Sequence, residues 1–258
     1  MTIKPDLIIL DIGSHKLEEL QTLLSPFPRQ LGIYLFWLVK QLVKFVIWRD
    51  PIILSNLRKQ VDVVRYYFLS SRRYNLTIIS IEPNPSVALS HVARLARKYK
   101  TVFLPVAVLG HDTDMSSDLK LLYSYDHSIS SSLYRKDRAI QAAENSVCVS
   151  LRLSVIWNGL MREGIVTKES KVILRMNCEG AELGLLRDCE EAGLHVKCVI
   201  GSIGDVEKIH GRESGNAAKH IMKKLDVEYH YFKGDDPSTW HDIAAVWDAN
   251  TAGFELKS

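Results

Sequence analysis

Three short segments of the sequence carry acidic, amide or hydroxyl side chains directly after an apolar run. They read LIILDIGSH over residues 7–15, IISIEPNP over 78–85 and LRMNCEGAE over 174–182. Each apolar run is rich in isoleucine and leucine, which is typical of a buried strand. In open α/β sheets ligands bind at the carboxyl ends of the strands. We therefore expect the carboxylates of Asp11, Glu82 and Glu179 to converge on one crevice.

The elements that would position these residues alternate along the chain. Apolar runs separated by helical patterns predict an α/β fold with a doubly wound, mainly parallel sheet. Length and composition are consistent with a single domain over residues 1–258. The predicted strands are 6–11, 76–81, 101–109, 119–125, 147–153, 171–177, 196–200 and 227–232. Helices are predicted near 17–24, 86–100, 179–192 and 217–225, and a serine-rich loop over 128–132.

Together the three segments resemble the FkbM-type methyltransferases. That family typically reads Asp-x-Gly-Ala-Asn, then Glu-Pro-Asn-Pro, then Lys-Ile-Asp-x-Glu-Gly-Ala-Glu, with a Ser-Ser-Leu element that Ser131-Ser132-Leu133 matches here. The resemblance covers roughly residues 6–192, apart from an insertion. It implies a Rossmann-like methyltransferase fold, S-adenosylmethionine (SAM) as the cofactor, and a hydroxyl-bearing small molecule or glycan as the methyl acceptor.

The resemblance also implies which residues contact SAM. Gly13 would allow close backbone approach, Glu82 would accept hydrogen bonds from the ribose diol, and Asp11 would lie near the methionine amine. The full set of implied cofactor contacts is Asp11, Gly13, Ser14, His15, Glu82, Pro83, Asn84, Ala107 and Val108.

The acceptor hydroxyl would need a base, and the third segment supplies the candidates. Glu179 is the favoured base, with His15, His111 and His127 as weaker ones. Asn177 and Arg175 stand where the family has an acid and a lysine, and an amide cannot act as a base. The acids of this segment could equally serve the start of the following helix.

Acceptor binding is assigned to Arg175 and to Ser131 and Ser132. A further departure concerns the first loop, where the family pattern Gly-x-x-x-Gly has a second glycine and this chain has none after Gly13. A bulkier loop would narrow the cofactor site. No spacing of histidine, cysteine or acidic residues indicates a metal site.

Residues 25–75 form a helical, apolar insertion after the first strand. Residues 31–48 are almost wholly apolar apart from Lys40 and Lys44. Three interpretations are open: a helix buried against the sheet or against a dimer partner, a peripheral membrane contact with Trp37 and Trp48 as interfacial anchors, or a membrane-spanning helix. A membrane-surface helix would favour a lipid-linked acceptor.

Bulk properties narrow the function classes. The net charge of +3 gives no case for nucleic acid as the main partner. Four cysteines without Cys-x-x-Cys spacing predict reduced thiols. The first residues lack an apolar signal-peptide core, so a cytoplasmic location is expected, with membrane association if the insertion binds lipid.

Two functions fit these patterns, and a third fits poorly. The first is a SAM-dependent O-methyltransferase acting on a sugar or on another small or lipid-linked metabolite. The second is a catalytically degenerate protein that keeps the fold as a ligand-binding or interaction module. A nicotinamide-dependent oxidoreductase is disfavoured, because no Gly-x-Gly-x-x-Gly follows the first strand.

Overall fold

The computed structural model describes the strands and helices that carry the three segments. The described residues are 7–15, 17–24, 28–49, 53, 63, 73–74, 76–110, 119–125, 130–132, 144–178, 180–234, 236–243, 246–247 and 256–257. Four residues named in the sequence analysis, His111, His127, Leu133 and Glu179, lie outside this set, as do residues 25–27 and most of 50–75.

Twelve strands and eight helices form in the described part of the chain. The strands are β1 (Leu7–Ile12), β2 (Arg73–Tyr74), β3 (Leu76–Ile81), β4 (Lys100–Leu104), β5 (Ala107–Leu109), β6 (Leu119–Tyr125), β7 (Ser130–Ser132), β8 (Glu144–Arg152), β9 (Lys171–Met176), β10 (Val196–Gly201), β11 (Glu228–Tyr231) and β12 (Leu256–Lys257). The helices are α1 (Glu18–Leu24), α2 (Pro28–Trp48), α3 (Pro85–Ala96), α4 (Leu153–Arg162), α5 (Glu182–Glu191), α6 (Gly204–His210), α7 (Arg212–Lys224) and a 3-10 helix (Pro237–Asp242).

Six strands form one main sheet with flanking helices, so the predicted α/β class is confirmed. The strand order is β11-β10-β9-β1-β3-β4. The pairs β1–β3, β1–β9, β3–β4 and β9–β10 are all parallel. The chain moves outward from β1 through β3 to β4, and later outward from β9 in the opposite direction. The strand order therefore reverses between β1 and β9.

The central strands are buried along their whole length. Every residue of β1 and β3 is buried, which is expected of parallel strands covered on both faces. Their leucine and isoleucine side chains join those of β9 and β10 in the main hydrophobic core. The predicted strands 6–11, 76–81, 171–177 and 196–200 correspond to these strands to within a residue.

A second sheet contains β5, β8, β6 and β7 in that order. β5 is parallel to β8, whereas β6 is antiparallel to both β8 and β7. The prediction of a single strand over 101–109 is wrong. β4 ends at Leu104 in the main sheet, and β5 begins at Ala107 in the second sheet. Pro105 lies at the break, where its missing N–H prevents continued pairing. Residues 130–132, predicted as loop, form β7.

The alternating pattern in β8 predicts the strand correctly. The buried face, however, carries the small residues and not the valines. Cys148 and Ser150 are buried, whereas Val147 and Val149 are 63% and 46% exposed. Cys148 forms a small buried cluster with Ala107 of the neighbouring strand. Leu153, read as the end of the strand, is the first residue of α4.

The chain divides into two compact units. One contains Met1–Leu17 and Leu76–His230, and the other Glu18–Asn75 and Tyr231–Ser258. The first unit holds the main sheet and all three motif segments. The prediction of a single domain over 1–258 stays a prediction.

The second unit is organised by aromatic residues. The Tyr34 ring of α2 stacks on Trp240 of the 3-10 helix, with ring centroids 5.8 Å apart. Trp247 donates a hydrogen bond through its Nε1 to the carbonyl oxygen of Leu23 at 3.0 Å. Strands β2 and β12 pair antiparallel.

The helix predicted in the insertion is confirmed as α2. The interpretation that it is buried against the sheet is wrong, whereas burial against a dimer partner stays a prediction. Only 6% of the stretch Leu31–Trp48 is buried, so α2 does not belong to the hydrophobic core. Among the described residues, α2 is the only helix long and apolar enough to cross a bilayer.

Candidate functional site

The three motif segments follow three adjacent parallel strands. In the sheet, β1 lies between β9 and β3, and Asp11 is in register with both Arg175 and Ser80. The carboxyl ends of these strands therefore meet at one edge, at the reversal of strand order where open α/β sheets bind ligands. Asp11 and Glu82 therefore stand at the tips of adjacent strands. Burial raises the pKa of Glu82, and the charge of Asp11 adds a smaller rise.

Asp11 and Arg175 form a buried ion pair between β1 and β9. The side chains are 0% and 3% exposed, and Arg175 Nη1 lies 3.0 Å from Asp11 Oδ1. The same nitrogen donates to the carbonyl oxygen of Gly13 at 2.6 Å. Arg175 thus neutralises the carboxylate that the resemblance assigns to the SAM amine, and it is turned toward the first motif loop.

The first motif loop is hydrogen-bonded to the end of β3. The backbone N–H groups of Gly13 and Ser14 donate to Ile81 O at 3.0 and 3.3 Å. The N–H of His15 donates to Glu82 Oε2 at 2.8 Å. Ser14 is fully buried, and its hydroxyl donates to Asp11 O at 3.0 Å. The Ser14 side chain is therefore directed into the fold.

Gly13 is required by a close backbone contact. It has φ of +74°, and a Cβ atom added there would lie 2.2 Å from the carbonyl oxygen of Asn177. The N–H of Asn177 donates to Ile12 O at 3.1 Å. The close approach that the sequence resemblance assigns to SAM is made, in this structure, by the third motif loop.

Leu17 stands where the FkbM-type pattern Gly-x-x-x-Gly has its second glycine, and its backbone has a positive φ, as a glycine commonly has. Its φ is +58°, in the left-handed region that costs a non-glycine residue energy. Leu17 is nonetheless 0% exposed, so burial of its side chain offsets the strain. His15, two residues earlier, also has a positive φ of 44°.

Glu82 joins the first and second motif loops. It is 5% exposed, and its Oε1 accepts from the N–H of Asn84 at 3.0 Å while its Oε2 accepts from His15. Burial raises the pKa of Glu82, and the two backbone hydrogen bonds partly oppose that rise. A carboxylate can accept about four hydrogen bonds, so a diol is able to add to the two already made. Pro83 and Asn84 form the half-buried turn that leads into α3.

The third motif loop is organised by Glu182. This fully buried carboxylate accepts from the N–H groups of Cys178 at 2.8 Å and Gly180 at 2.9 Å. Glu182 therefore serves the start of α5, as the alternative interpretation of this acid predicts. The helix begins at Glu182 and not near 179, because the N–H groups of Cys178 and Gly180 donate to the Glu182 side chain.

His210 is a neighbour of this loop that sequence reasoning missed. Its Nε2 lies 3.0 Å from the carbonyl oxygen of Gly180. Gly180 follows Glu179 in the sequence. Ile209 of the same helix is also close to Gly180. No periodicity in the sequence indicated α6, which has only seven residues.

The remaining predicted site residues belong to the second sheet. Ala107 and Val108 are buried in β5, opposite Ser150 and Leu151. Gly110, just after β5, contacts α5, since a Cβ there would lie 2.2 Å from the Cα of Gly184. Ser131 and Ser132 lie in β7 and pair with Ser124 and Tyr123 of β6. Ser131 and Ser132, expected in a loop, therefore lie in a strand.

Within the described ranges, no group of three or more histidine, cysteine or acidic side chains is arranged to hold a metal ion. Comparison of the chain with family models, with curated proteins and with solved structures found no match.

Proposed function

We propose that this protein is a SAM-dependent methyltransferase that methylates a hydroxyl group of a sugar or of another small or lipid-linked metabolite. The observation that supports the proposal most is the strand order. The chain follows the order third-second-first-fourth-fifth across β4-β3-β1-β9-β10, which is the doubly wound arrangement that binds nucleotides at its reversal point. The three segments that resemble the FkbM-type family stand at that point.

Glu82 is proposed to hold the ribose of SAM. It is a nearly buried carboxylate at the tip of the strand next to β1, with acceptor capacity beyond its two backbone bonds. A cis-diol presents two hydroxyl donors to such a group. Desolvation strengthens hydrogen bonds to the carboxylate, because water competes less well at a buried position.

The Asp11–Arg175 pair is proposed to bind the amino-acid arm of SAM. That arm is a zwitterion, whose ammonium and carboxylate complement a carboxylate and a guanidinium held 3.0 Å apart. Binding would exchange the internal ion pair for two ion pairs with the ligand. Arginine suits the carboxylate, since its planar fork donates two parallel hydrogen bonds.

When bound, SAM would supply an electrophilic methyl group for the acceptor oxygen, with S-adenosylhomocysteine as the leaving group. The residues of this chain would align the acceptor and take its proton. Glu179 is the proposed base, because Asn177 cannot accept a proton and Arg175 is paired with Asp11.

Titration calorimetry with SAM and S-adenosylhomocysteine tests donor binding. Glu82→Ala is expected to weaken SAM binding by about 1.5–3 kcal/mol, the range for a hydrogen bond to a charged group. Release of S-adenosylhomocysteine with a panel of glycans and lipid-linked sugars tests turnover. An unchanged dissociation constant for a folded Glu82→Ala would remove Glu82 from the site.

A second candidate, a ligand-binding module without turnover, is favoured by particular contacts. Asp11 is neutralised by Arg175, the N–H groups of residues 13–15 are all bound within the protein, and Asn177 replaces the family's acid. SAM binding without S-adenosylhomocysteine release across the panel supports this candidate. Failure of both ligands to bind rejects the methyltransferase and any module that binds SAM.

A further inference from the structure

Helix α2 exposes an unusually large apolar surface. Its exposed apolar face consists of Phe36, Val39, Leu42, Val43, Val46 and Ile47, which are between 49% and 75% exposed. Trp48, at the end of the helix, is 76% exposed. Isolated apolar side chains on a protein surface are ordinary, whereas a contiguous apolar patch marks a binding surface.

The exposed apolar face is broad and has a cationic edge. At about 100° per residue, its six side chains occupy an arc of roughly 140°, and no polar residue between positions 36 and 47 falls within that arc. Lys40 and Lys44 follow on one side of this arc, and both are exposed. Residues 28–49 contain four basic residues and no acidic one. The face therefore complements a surface that is apolar inside and anionic at its boundary.

The opposite side of α2 packs against the 3-10 helix of the same unit. Tyr34 is 0% exposed and stacks on both Trp37 and Trp240, with ring centroids 5.9 and 5.8 Å away. The 3-10 helix that carries Trp240 also carries His241 and Asp242, and Asp236 precedes it. A helix crossing a bilayer would take these charged neighbours toward the hydrocarbon, which is energetically costly. A helix lying along the surface keeps them in water.

A second copy of the chain fits this face less well than lipid does. Two α2 helices in contact would bring together only cations, since neither has an acidic residue between 28 and 49. Helix pairs usually meet along a narrow seam flanked by charges of both signs. Anionic phospholipid supplies both the missing negative charge and an apolar layer as wide as the face.

We propose that α2 binds lengthwise to the surface of an anionic phospholipid bilayer, with its exposed apolar face toward the acyl chains and Lys40 and Lys44 at the headgroups. Such helices bury their apolar face about 5–10 Å below the headgroups. Trp48 lies at the end of the helix, and tryptophan is favoured at this interface. The inference is independent of the proposed methyl transfer, because it uses only residues of the second unit.

Vesicle sedimentation of the full chain tests the proposal. The protein is expected to pellet with vesicles of phosphatidylcholine and phosphatidylserine, and less with phosphatidylcholine alone or at high salt. Phe36→Asp with Val43→Asp is expected to weaken binding at least about tenfold, because two apolar side chains lose their burial. The matched control, Val147→Asp with Val149→Asp, changes two exposed valines of β8 and should leave vesicle binding unchanged.

Three results would overturn the proposal. One is equal vesicle binding by the α2 variant, with circular dichroism showing that it is folded. Another is a dimer in sedimentation velocity, without lipid, that the same variant dissociates, which would assign the face to a second copy. The third is resistance of the bound protein to alkaline carbonate extraction, which would indicate a spanning helix.

Discussion

At the scale of single residues, Glu82 has an ionised form that burial disfavours and that two backbone hydrogen bonds stabilise. Burial is the larger effect, because the pKa is raised overall. An acid with a raised pKa binds protons more tightly in the folded protein than in the unfolded chain, which makes folding sensitive to pH in a defined direction.

Replacing Glu82 by the isosteric, non-titrating Gln should reveal this sensitivity. Between the usual pKa of 4.5 and the higher folded-state pKa, the native protein holds the proton that the unfolded chain has lost. The free energy of unfolding of the wild type, relative to Glu82→Gln, should therefore fall as pH rises through this window, by about 1.4 kcal/mol per unit of pKa difference. Urea denaturation of both proteins across that pH range measures it. A relative stability that rises with pH would contradict the assigned cause.

Gly13 and Gly164 form a matched pair for testing the contact between the first and third loops. Both have positive φ, at +74° and +66°, but only at Gly13 would an added Cβ meet neighbouring backbone, at 2.2 Å. Gly164→Ala should cost about 1–2 kcal/mol for the left-handed backbone. Gly13→Ala should cost about 2–5 kcal/mol, since overpacking adds about 1–3 kcal/mol. Equal losses in chemical denaturation would show that Asn177 moves aside freely.

The sequence identified where chemistry-bearing residues lie, but not what they contact. An acid at a strand end is visible as a letter after an apolar run, and Asp11 and Glu82 do stand at adjacent strand tips. Their partners come from segments distant in sequence: Arg175 is 164 residues from Asp11, and His15 is 67 from Glu82. Periodicity reports which side of an element is buried and carries no information about such pairs.

At the scale of elements, α4 and α5 are joined by a buried carboxylate. Asp188 of α5 is 0% exposed. Its Oδ2 accepts from the N–H of Ser154, in the first turn of α4, at 2.8 Å, and its Oδ1 accepts from Arg152 at 3.2 Å. A negative charge at a helix N-terminus is favourable because it complements the helix dipole. Asp188 thus acts as a cap supplied by a different helix.

Asp188→Ala should destabilise the protein by about 1–3 kcal/mol, because buried donors lose their acceptor. Glu191→Ala is the matched control. Glu191 also pairs with Arg152, at 3.1 Å, but its side chain is 48% exposed, so its loss should stay within about 0.5 kcal/mol. Thermal or urea unfolding compares the two. Similar effects would mean that the Ser154 hydrogen bond contributes little.

Strands with continuous apolar sequences could be predicted. The break between β4 and β5 and the buried face of β8 could not. β1 and β3 are buried on both faces, so their sequence is apolar throughout and unambiguous. The inward face of β8 depends on the neighbouring strand, since Cys148 is buried together with Ala107 of β5. Such complementarity is a property of the folded pair of strands.

At the scale of the whole molecule, three of the four cysteines are buried and the fourth, Cys178, is half-buried. Cys148, Cys178, Cys189 and Cys198 are all free, as the absence of Cys-x-x-Cys spacing predicts. Burial raises the pKa of Cys148, Cys178 and Cys189. The thiolate is the reactive form, so raised pKa values and burial both suppress reactivity in the folded state.

Thiol labelling should therefore report unfolding of the molecule. In native buffer all four cysteines are expected to react with Ellman's reagent far more slowly than a free thiol, and in denaturant all four should react at once. Stopped-flow absorbance follows both reactions, and a Cys178→Ser variant isolates the half-buried thiol of the third motif loop. Rapid native labelling of Cys189, which is 0% exposed, would contradict the packing around α5.

The hydrogen bonds of residues 13–15 have a consequence for how any ligand reaches the sheet edge. All three amide groups donate to the end of β3, and Gly13 touches Asn177. The segment can move only if these hydrogen bonds and the Asn177 contact are broken. A ligand bound at this edge would therefore meet a backbone surface that is already formed, and its fit there would depend on shape.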